Sequence, residues 1–304
     1  MRATEERRAR SFAPGHVTGI FTPDLASHDP RGRGSRGVGL VLTSGARADV
    51  TWRPNAPTHV RVRGPAGERL PISEEAVRHL VPRGAGSVVV EVQAELPVGQ
   101  GFGMSAAGTL ASSLAVAHLL SVPRTRAVEV AHLAELLGGG GLGGVPAILG
   151  GGLEVRTTAG IPPWGKVSHV PFPYSIVVGV VGGPLPSPTL LRQDRFLARV
   201  ARAARELDEL ETPPAPEAFL EASERFTDRL ALAPPPLVAV IRALRRRGWW
   251  AAQAMFGRSF FAVPSSPRAR SSGFEFLEEN GLRALELGPS RSGARVLRGA
   301  TQPF

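Results

Sequence analysis

The stretch Pro97-Val98-Gly99-Gln100-Gly101-Phe102-Gly103-Met104-Ser105-Ala106-Ala107-Gly108 lies between two segments of opposite character. Before it, Ser87-Val88-Val89-Val90-Glu91-Val92-Gln93 is a β-branched run that predicts a strand. After it, the residues from Ser105 to Leu120 are mostly Ala, Leu and other small residues and predict a buried helix. Strand, glycine-rich loop and helix together make an anion cradle. Glycines let backbone N–H groups come close to a phosphate, and the helix N-terminus adds unpaired donors and positive partial charge. Ser105, at the helix start, can face a phosphate or a metal ion. Other loop motifs fit less well. Gly160 to Lys166 has the spacing of a Walker loop, but Val167 follows where Ser or Thr is needed. Gly101, Gly103 and Ala106 satisfy a dinucleotide fingerprint formally, yet the first glycine falls well past the strand and no acid stands ~20 residues on. A nucleophile elbow would need glycine where Ala107 stands.

Over its whole length the stretch resembles the P-x-x-x-G-[LF]-G-x-S-[AG]-[AS] loop of the GHMP kinases, the superfamily of galactokinase and of the homoserine, mevalonate and phosphomevalonate kinases. The resemblance implies that Pro97, Gly99, Gly101, Phe102, Gly103, Met104, Ser105, Ala106, Ala107 and Gly108 hold ATP. A second segment, Ala13-Pro14-Gly15-His16-Val17-Thr18-Gly19, together with Gly34-Ser35-Arg36-Gly37, is similar to the archaeal pantoate kinase branch. That branch phosphorylates the 4-hydroxyl of (R)-pantoate in coenzyme A biosynthesis. A carboxylate substrate calls for a guanidinium fork, and Arg36, read here in a glycine-flanked loop from His28 to Gly37, could supply one. His16 is the basic residue of its own motif.

Arg124 to Leu137 predicts an amphipathic helix with His132 and Glu135 three apart on its surface. The resemblance gives Glu135, with Ser105, the role of Mg²⁺ ligand, and gives His132 a contact to pantoate. One carboxylate and one hydroxyl suit Mg²⁺, which keeps waters and phosphate oxygens for its other positions. Two further glycine clusters follow, Gly138 to Val145 and Gly150-Gly151-Gly152, the second leading into Leu153-Glu154-Val155-Arg156. Arg156 matches an arginine of the branch and is a second candidate for the pantoate carboxylate. The departure is at Gly144, where the branch carries an Asp that serves as base or orienter of the attacking hydroxyl. Asp24, Asp29 and Glu154 lie near the motifs along the chain and are candidates to replace it. Met104 stands where a small residue is usual.

Bulk properties narrow the classes. The chain has 304 residues, 42% hydrophobic and 20% charged, which is enough for two globular domains. It has no Cys, so disulfide frameworks and thiolate metal sites are excluded, in keeping with a reducing, cytoplasmic setting. Met1 to Arg10 is charged and lacks the apolar core of a secretory signal. Ser105 to Val122 carries no formal charge over a length close to the lower limit of a membrane span, but its Ser, Thr and His residues argue for a core helix. No membrane partner is expected. The net charge is +10, and Lys166 is the only lysine among 36 Lys and Arg residues. The arginines are spread along the chain with little aromatic interleaving, so nucleic acid is not expected as a partner.

The remaining chain predicts strands at Ser11–Phe21, Gly39–Arg53, Thr58–Arg63, Tyr174–Val181 and Arg283–Leu287. Helices are predicted at Ser73–Leu80, Leu190–Leu210, Glu217–Leu232 and Leu237–Arg247. Pro162-Pro163-Trp164-Gly165 reads as a linker, and Arg192, Arg195, Arg199, Arg202 and Arg205 as a solvated stripe partly paired with Glu206 and Glu209. Ala251 to Val263 resembles a shortened third GHMP motif that keeps only Gly257. The pattern is α+β. The resemblance implies a two-domain GHMP kinase fold: a domain like ribosomal protein S5 domain 2 over residues 1–173 and a ferredoxin-like domain over 174–304, with the site in the cleft between them. ATP-dependent phosphorylation of pantoate, with Mg²⁺, is the reading that follows. The alternatives are another GHMP small-molecule kinase, and a silent nucleotide- or pantoate-binding protein that has lost its chemistry with the Asp at 144. GHMP kinases are often homodimers, but no interface is legible in the sequence.

Overall fold

The computed structural model describes residues 6–184 and 193–298. Two antiparallel strands of unusual length carry the first half of the chain. β1 spans Arg7–Asp24 and β2 spans Gly34–Arg53. Pro14-Gly15, whose residue types disfavour a continuous strand, does not end the first of these. Instead it sits at a shift in register between Pro14 and His16, and the strand runs on past it. A proline costs one ladder bond, and a bulge absorbs that loss. Gly34 to Gly37 belongs to β2 and is not part of a loop: Gly37 to Leu40 pairs on one side with β1 and on the other with β5 (Leu153–Thr158). These partners are distant in sequence, so local turn composition gave no sign of them.

The sheet is completed by β3 (His59–Arg63), β4 (Ser87–Ala94) and β6 (Lys166–Val170). Pro162 to Gly165 is therefore the turn of the β5–β6 hairpin and not an interdomain linker. The near-Walker sequence from Gly160 to Lys166 falls in the same turn. Three helices pack here: α1 (Pro71–Arg78), α2 (Met104–Leu119) and α3 (Arg124–Gly138). A single turn, α4 (Gly144–Ala147), follows the glycine loop after α3. Helix α2 is buried almost all round, against β1, β2, α1 and α3. This explains its lack of charge, and among the described residues no helix is long and apolar enough to cross a membrane.

The second sheet has the strand order β10-β7-β9-β8, all antiparallel, which is the order of a ferredoxin-like unit. Its strands are β7 (Ile176–Val180), β8 (Trp249–Gln253), β9 (Ser259–Pro264) and β10 (Ala284–Leu287). Its helices are α5 (Asp194–Ala203), α6 (Pro216–Leu230), α7 (Pro235–Arg246) and α8 (Pro267–Glu279). A helix expected over Leu190–Leu210 is thus α5 followed by a 3-10 turn at Arg205–Asp208; residues 190–192, with Arg192, lie outside the described residues. Glu206 pairs with Arg225 and Arg229 on α6 and not with the arginine stripe of its own segment. The chain then returns to the first sheet, where β11 (Arg295–Val296) pairs with β1.

One hydrophobic core spans both sheets, and the second sheet packs a further cluster against α7 and α8 on its other face. Helix α6 lies across β1, and a Cβ at Gly19 would come within 2.5 Å of the Phe219 ring. Phe21 of β1 makes edge contacts with Phe226 of α6 and with Phe256, at centroid distances of 5.8 and 5.5 Å. Phe226 is fully buried, so Phe226→Ala is expected to cost about 3–5 kcal/mol and to lower the urea midpoint of the whole chain in a single transition. Two separate transitions, with only the second shifted, would show that the two sheets do not share a core.

Candidate active site

The glycine loop lies between the two sheets. Gly99, Gly101 and Gly103 take φ values of +74°, +76° and +70°. Alternating left-handed residues of this kind turn successive backbone N–H groups toward one side. At Gly101 space is also decisive: a Cβ there would lie 2.6 Å from the Ala254 carbonyl oxygen. The second sheet's hairpin holds the loop through Gln100. The Gln100 Nε2 donates to the Gly182 carbonyl at 2.8 Å, its Oε1 accepts from the Arg258 N–H at 3.2 Å, and the Ser259 hydroxyl donates to the Gln100 carbonyl. The third motif thus supports the loop from below at Gly257, where a Cβ would strike the Gln100 carbonyl.

The loop ends at Gly103, the N-cap of α2, and the first-turn N–H groups of that helix open onto a pocket. Ser105 is exposed there. Its hydroxyl donates to Glu135 Oε1 at 2.7 Å, and Thr109, one turn further along α2, donates to the same oxygen at 2.9 Å. Thr109 was not singled out from the sequence. Its signal is the four-residue spacing from Ser105, which puts both hydroxyls on the face of α2 that meets α3. Glu135 sits in the last turn of α3, and the glycine loop after it folds back over the carboxyl. A Cβ at Gly140 would lie on the Glu135 carboxylate. Burial raises the Glu135 pKa to about 7, against the lowering effect of the two hydroxyls.

A second buried cluster forms one wall of the pocket. His16 of β1 hydrogen-bonds through Nε2 to Glu154 Oε1 at 2.8 Å, and Arg156 Nη1 donates to the same oxygen. Arg156 Nε also donates to the Ser35 carbonyl at 3.3 Å. All three side chains are almost wholly shielded from solvent, although His16 and Arg156 line the pocket. Burial lowers the His16 pKa and outweighs the pull of Glu154 in the other direction.

Not every expected residue reaches the pocket. Pro97 is exposed at the start of the loop, and Ala107 and Gly108 are buried on the inner side of α2. Arg36 points the other way along β2 from its neighbour Ser35. It pairs with Asp208 at 2.7 Å and lines a separate groove with Leu207 and Glu211. His132 is buried and turned toward the backbone of Pro30 and Arg33, beneath the 3-10 turn at Pro30–Gly32, so it supports that turn and does not line the pocket. Asp29 is bound by Arg31, which holds its carboxyl down at about 2, and Asp24 does not line the pocket either. Among the described residues Glu135 is the only carboxylate in the pocket wall.

A model of the GHMP kinase N-terminal domain matches residues 72–152, which hold the loop, Ser105 and Glu135. The pantoate kinase of Thermococcus kodakarensis is 30% identical over 270 residues, covering 86% of this chain and 90% of that protein. The pantoate kinase of Methanospirillum hungatei is 27% identical, over 85% of this chain and 88% of that one. Among solved structures, a phosphotransferase related to the coenzyme A biosynthesis pathway superposes with a TM-score of 0.85 at 27% identity, over 96% of this chain and 99% of that one. The fold and the loop are those of a GHMP kinase. Within that superfamily the chain belongs to the pantoate kinase family.

Glu135 sets a test of the site's electrostatics. Its folded pKa of about 7 exceeds that of an exposed glutamate, so folding favours the protonated form. The resulting penalty is absent below pH ~4.5, grows as pH rises and is complete above ~7, at about 3 kcal/mol. Glu135→Gln is therefore expected to stabilise the ligand-free protein at pH 8 and to flatten its loss of stability between pH 5 and 8, measured by thermal unfolding.

Proposed function

We propose that the protein transfers the γ-phosphoryl group of ATP to the 4-hydroxyl of (R)-pantoate, yielding 4-phosphopantoate and ADP. The observation that carries this reading is the Ser105–Glu135 pair at the foot of a positive-φ glycine loop, in a chain that aligns with pantoate kinases along most of its length. Residues 1–173 supply the loop and most of the pocket wall; residues 174–304 supply Met255 and Phe256 on the opposite side.

The backbone N–H groups of Gly99 to Ser105 hold the phosphates, and the α2 N-terminus adds its partial positive charge. Ser105 and Glu135 present hard oxygen donors 2.7 Å apart on two packed helices, which fits Mg²⁺. These two residues would hold the ion, which when bound neutralises charge on the β- and γ-phosphates. Arg156 binds the pantoate carboxylate, its fork fixed in place by Glu154 and the Ser35 carbonyl. Phosphoryl transfer proceeds through a loose transition state, so positioning and charge supply most of the acceleration. Arg36 and His132 act outside the pocket, as a clasp to Asp208 and as the support of the 30–33 turn.

Glycine at 144 favours a second reading, binding without transfer, and the same experiment separates the two. ADP release by the purified protein with Mg-ATP is expected to depend on (R)-pantoate. ATP binding with no pantoate-dependent ADP would support the second reading. Arg156→Lys is expected to raise the KM for pantoate about tenfold, because a point charge replaces a fork. Arg36→Ala is expected to leave that KM within about twofold, in keeping with the low worth of an exposed ion pair. A tenfold rise in KM for Arg36→Ala would put that arginine back in the substrate site.

A further inference from the structure

The pocket lacks a carboxylate at 144, and the structure shows why one is not simply restored. A Cβ added at Gly144 would lie 2.7 Å from the Ala106 Cβ, closer than real Cβ atoms approach. Ala106 is in the first turn of α2, directly after the phosphate loop, and cannot step aside without moving the cradle. Glycine at 144 and alanine at 106 are therefore a matched pair, and the proton of the attacking hydroxyl needs another acceptor.

Among the described residues, the ionisable groups in the pocket wall are His16, Glu135 and Arg156. Arg156 is always a cation and cannot accept a proton. Glu135 Oε1 already accepts from two hydroxyls, and the proposed function assigns its carboxylate to Mg²⁺. His16 differs from both. Its Nε2 faces Glu154 Oε1, an oxygen that also accepts from Arg156, so Nε2 carries the proton and donates it. A neutral imidazole then has its lone pair on Nδ1. No hydrogen bond engages Nδ1 among the described residues, and His16 lines the same pocket as the glycine loop and Gly144.

We propose that His16 Nδ1 accepts the proton of the substrate hydroxyl, with Glu154 as its positioning residue. This rests on the proposed kinase function. The hydroxyl O–H bond breaks and its proton moves to Nδ1. The hydroxyl oxygen forms a bond to the γ-phosphorus. The bond from that phosphorus to the bridging oxygen breaks, and its electron pair leaves with ADP. The imidazolium so formed faces the Glu154 carboxylate, and its proton passes to solvent when the product departs. The buried Glu154–Arg156 pair thus serves two purposes: it fixes the His16 tautomer and it meets the transient positive charge.

The test compares five full-length proteins: wild type, His16→Gln, Gly144→Asp, Ala106→Gly/Gly144→Asp, and the triple variant that adds His16→Gln to that pair. Glutamine keeps an N–H donor for Glu154 but has no basic nitrogen. His16→Gln is expected to lose kcat by about 100-fold, with KM for ATP and pantoate within about threefold. The triple variant is expected to regain at least tenfold of that loss, because a carboxylate now stands at 144 in the same pocket, where alanine no longer blocks it. Gly144→Asp made without Ala106→Gly is expected to raise the KM for ATP, because the cradle must shift. If His16→Gln does not fold, as judged by thermal unfolding and ATP binding, His16→Asn takes its place in the same comparison. A kcat within threefold of wild type would overturn the assignment of His16. So would a loss of kcat that the triple variant does not regain. A wild type that binds ATP but turns over no pantoate would instead overturn the function on which the proposal rests.

Discussion

The chain from Gly99 to Gly103 passes between two sheets so closely that its glycine positions leave no room for a Cβ, while Gln100 and Phe102 are buried between them. On one side the Ala254 carbonyl stands where a Cβ of Gly101 would be, and on the other Gly103 lies against the His16 backbone. This close passage is the constraint on which the rest depends. It turns the N–H groups toward one pocket, it sets where α2 begins, and it puts Ser105 within reach of Glu135. It also ties the two units together, since Gln100 is held by Gly182, Arg258 and Ser259 of the second. The Phe21–Phe226–Phe256 contacts extend that tie into the shared core.

Around this loop the protein keeps two buried carboxylates, each with a different form of compensation. Glu154 is matched by Arg156 and His16, so its charge is met within the wall of the pocket. Glu135 is met only by two hydroxyls, and its pKa rises to about 7. A carboxylate left in that condition lowers the stability of the empty protein, and a cation at the same place would relieve it. The contrast separates a carboxylate whose charge is paired within the wall from one met by neutral hydroxyls alone.

Much of the site was legible in the sequence because its signals are local. The strand before the loop, the glycines within it, the charge-free helix after it and Glu135 on the next helix are all matters of composition and spacing over short windows. What escaped depended on distant partners. Gly34 to Gly37 reads as a turn until β1 and β5 are known to pair with it. With that pairing, alternation along the strand sends Ser35 toward the pocket and Arg36 away from it. β1 survives Pro14-Gly15 by shifting register, and the Pro162-Pro163 pair hides a hairpin. His132 shares a face with Glu135 by spacing, but the turn at 30–33 covers it. The pairing of His16 with Glu154 joins residues on different strands, so no window of sequence contains it. The exclusion between Ala106 and Gly144 is likewise visible only once the two loops meet.

The central claim is that this pocket moves a phosphoryl group onto the primary hydroxyl of pantoate. The most direct measurement is the proton-coupled ³¹P spectrum of the wild-type protein incubated with Mg-ATP and (R)-pantoate. The account predicts a new phosphomonoester resonance split by the two protons of one methylene group, growing in step with ADP. Loss of ATP to inorganic phosphate alone, or an unchanged spectrum from protein that still binds ATP, would contradict it.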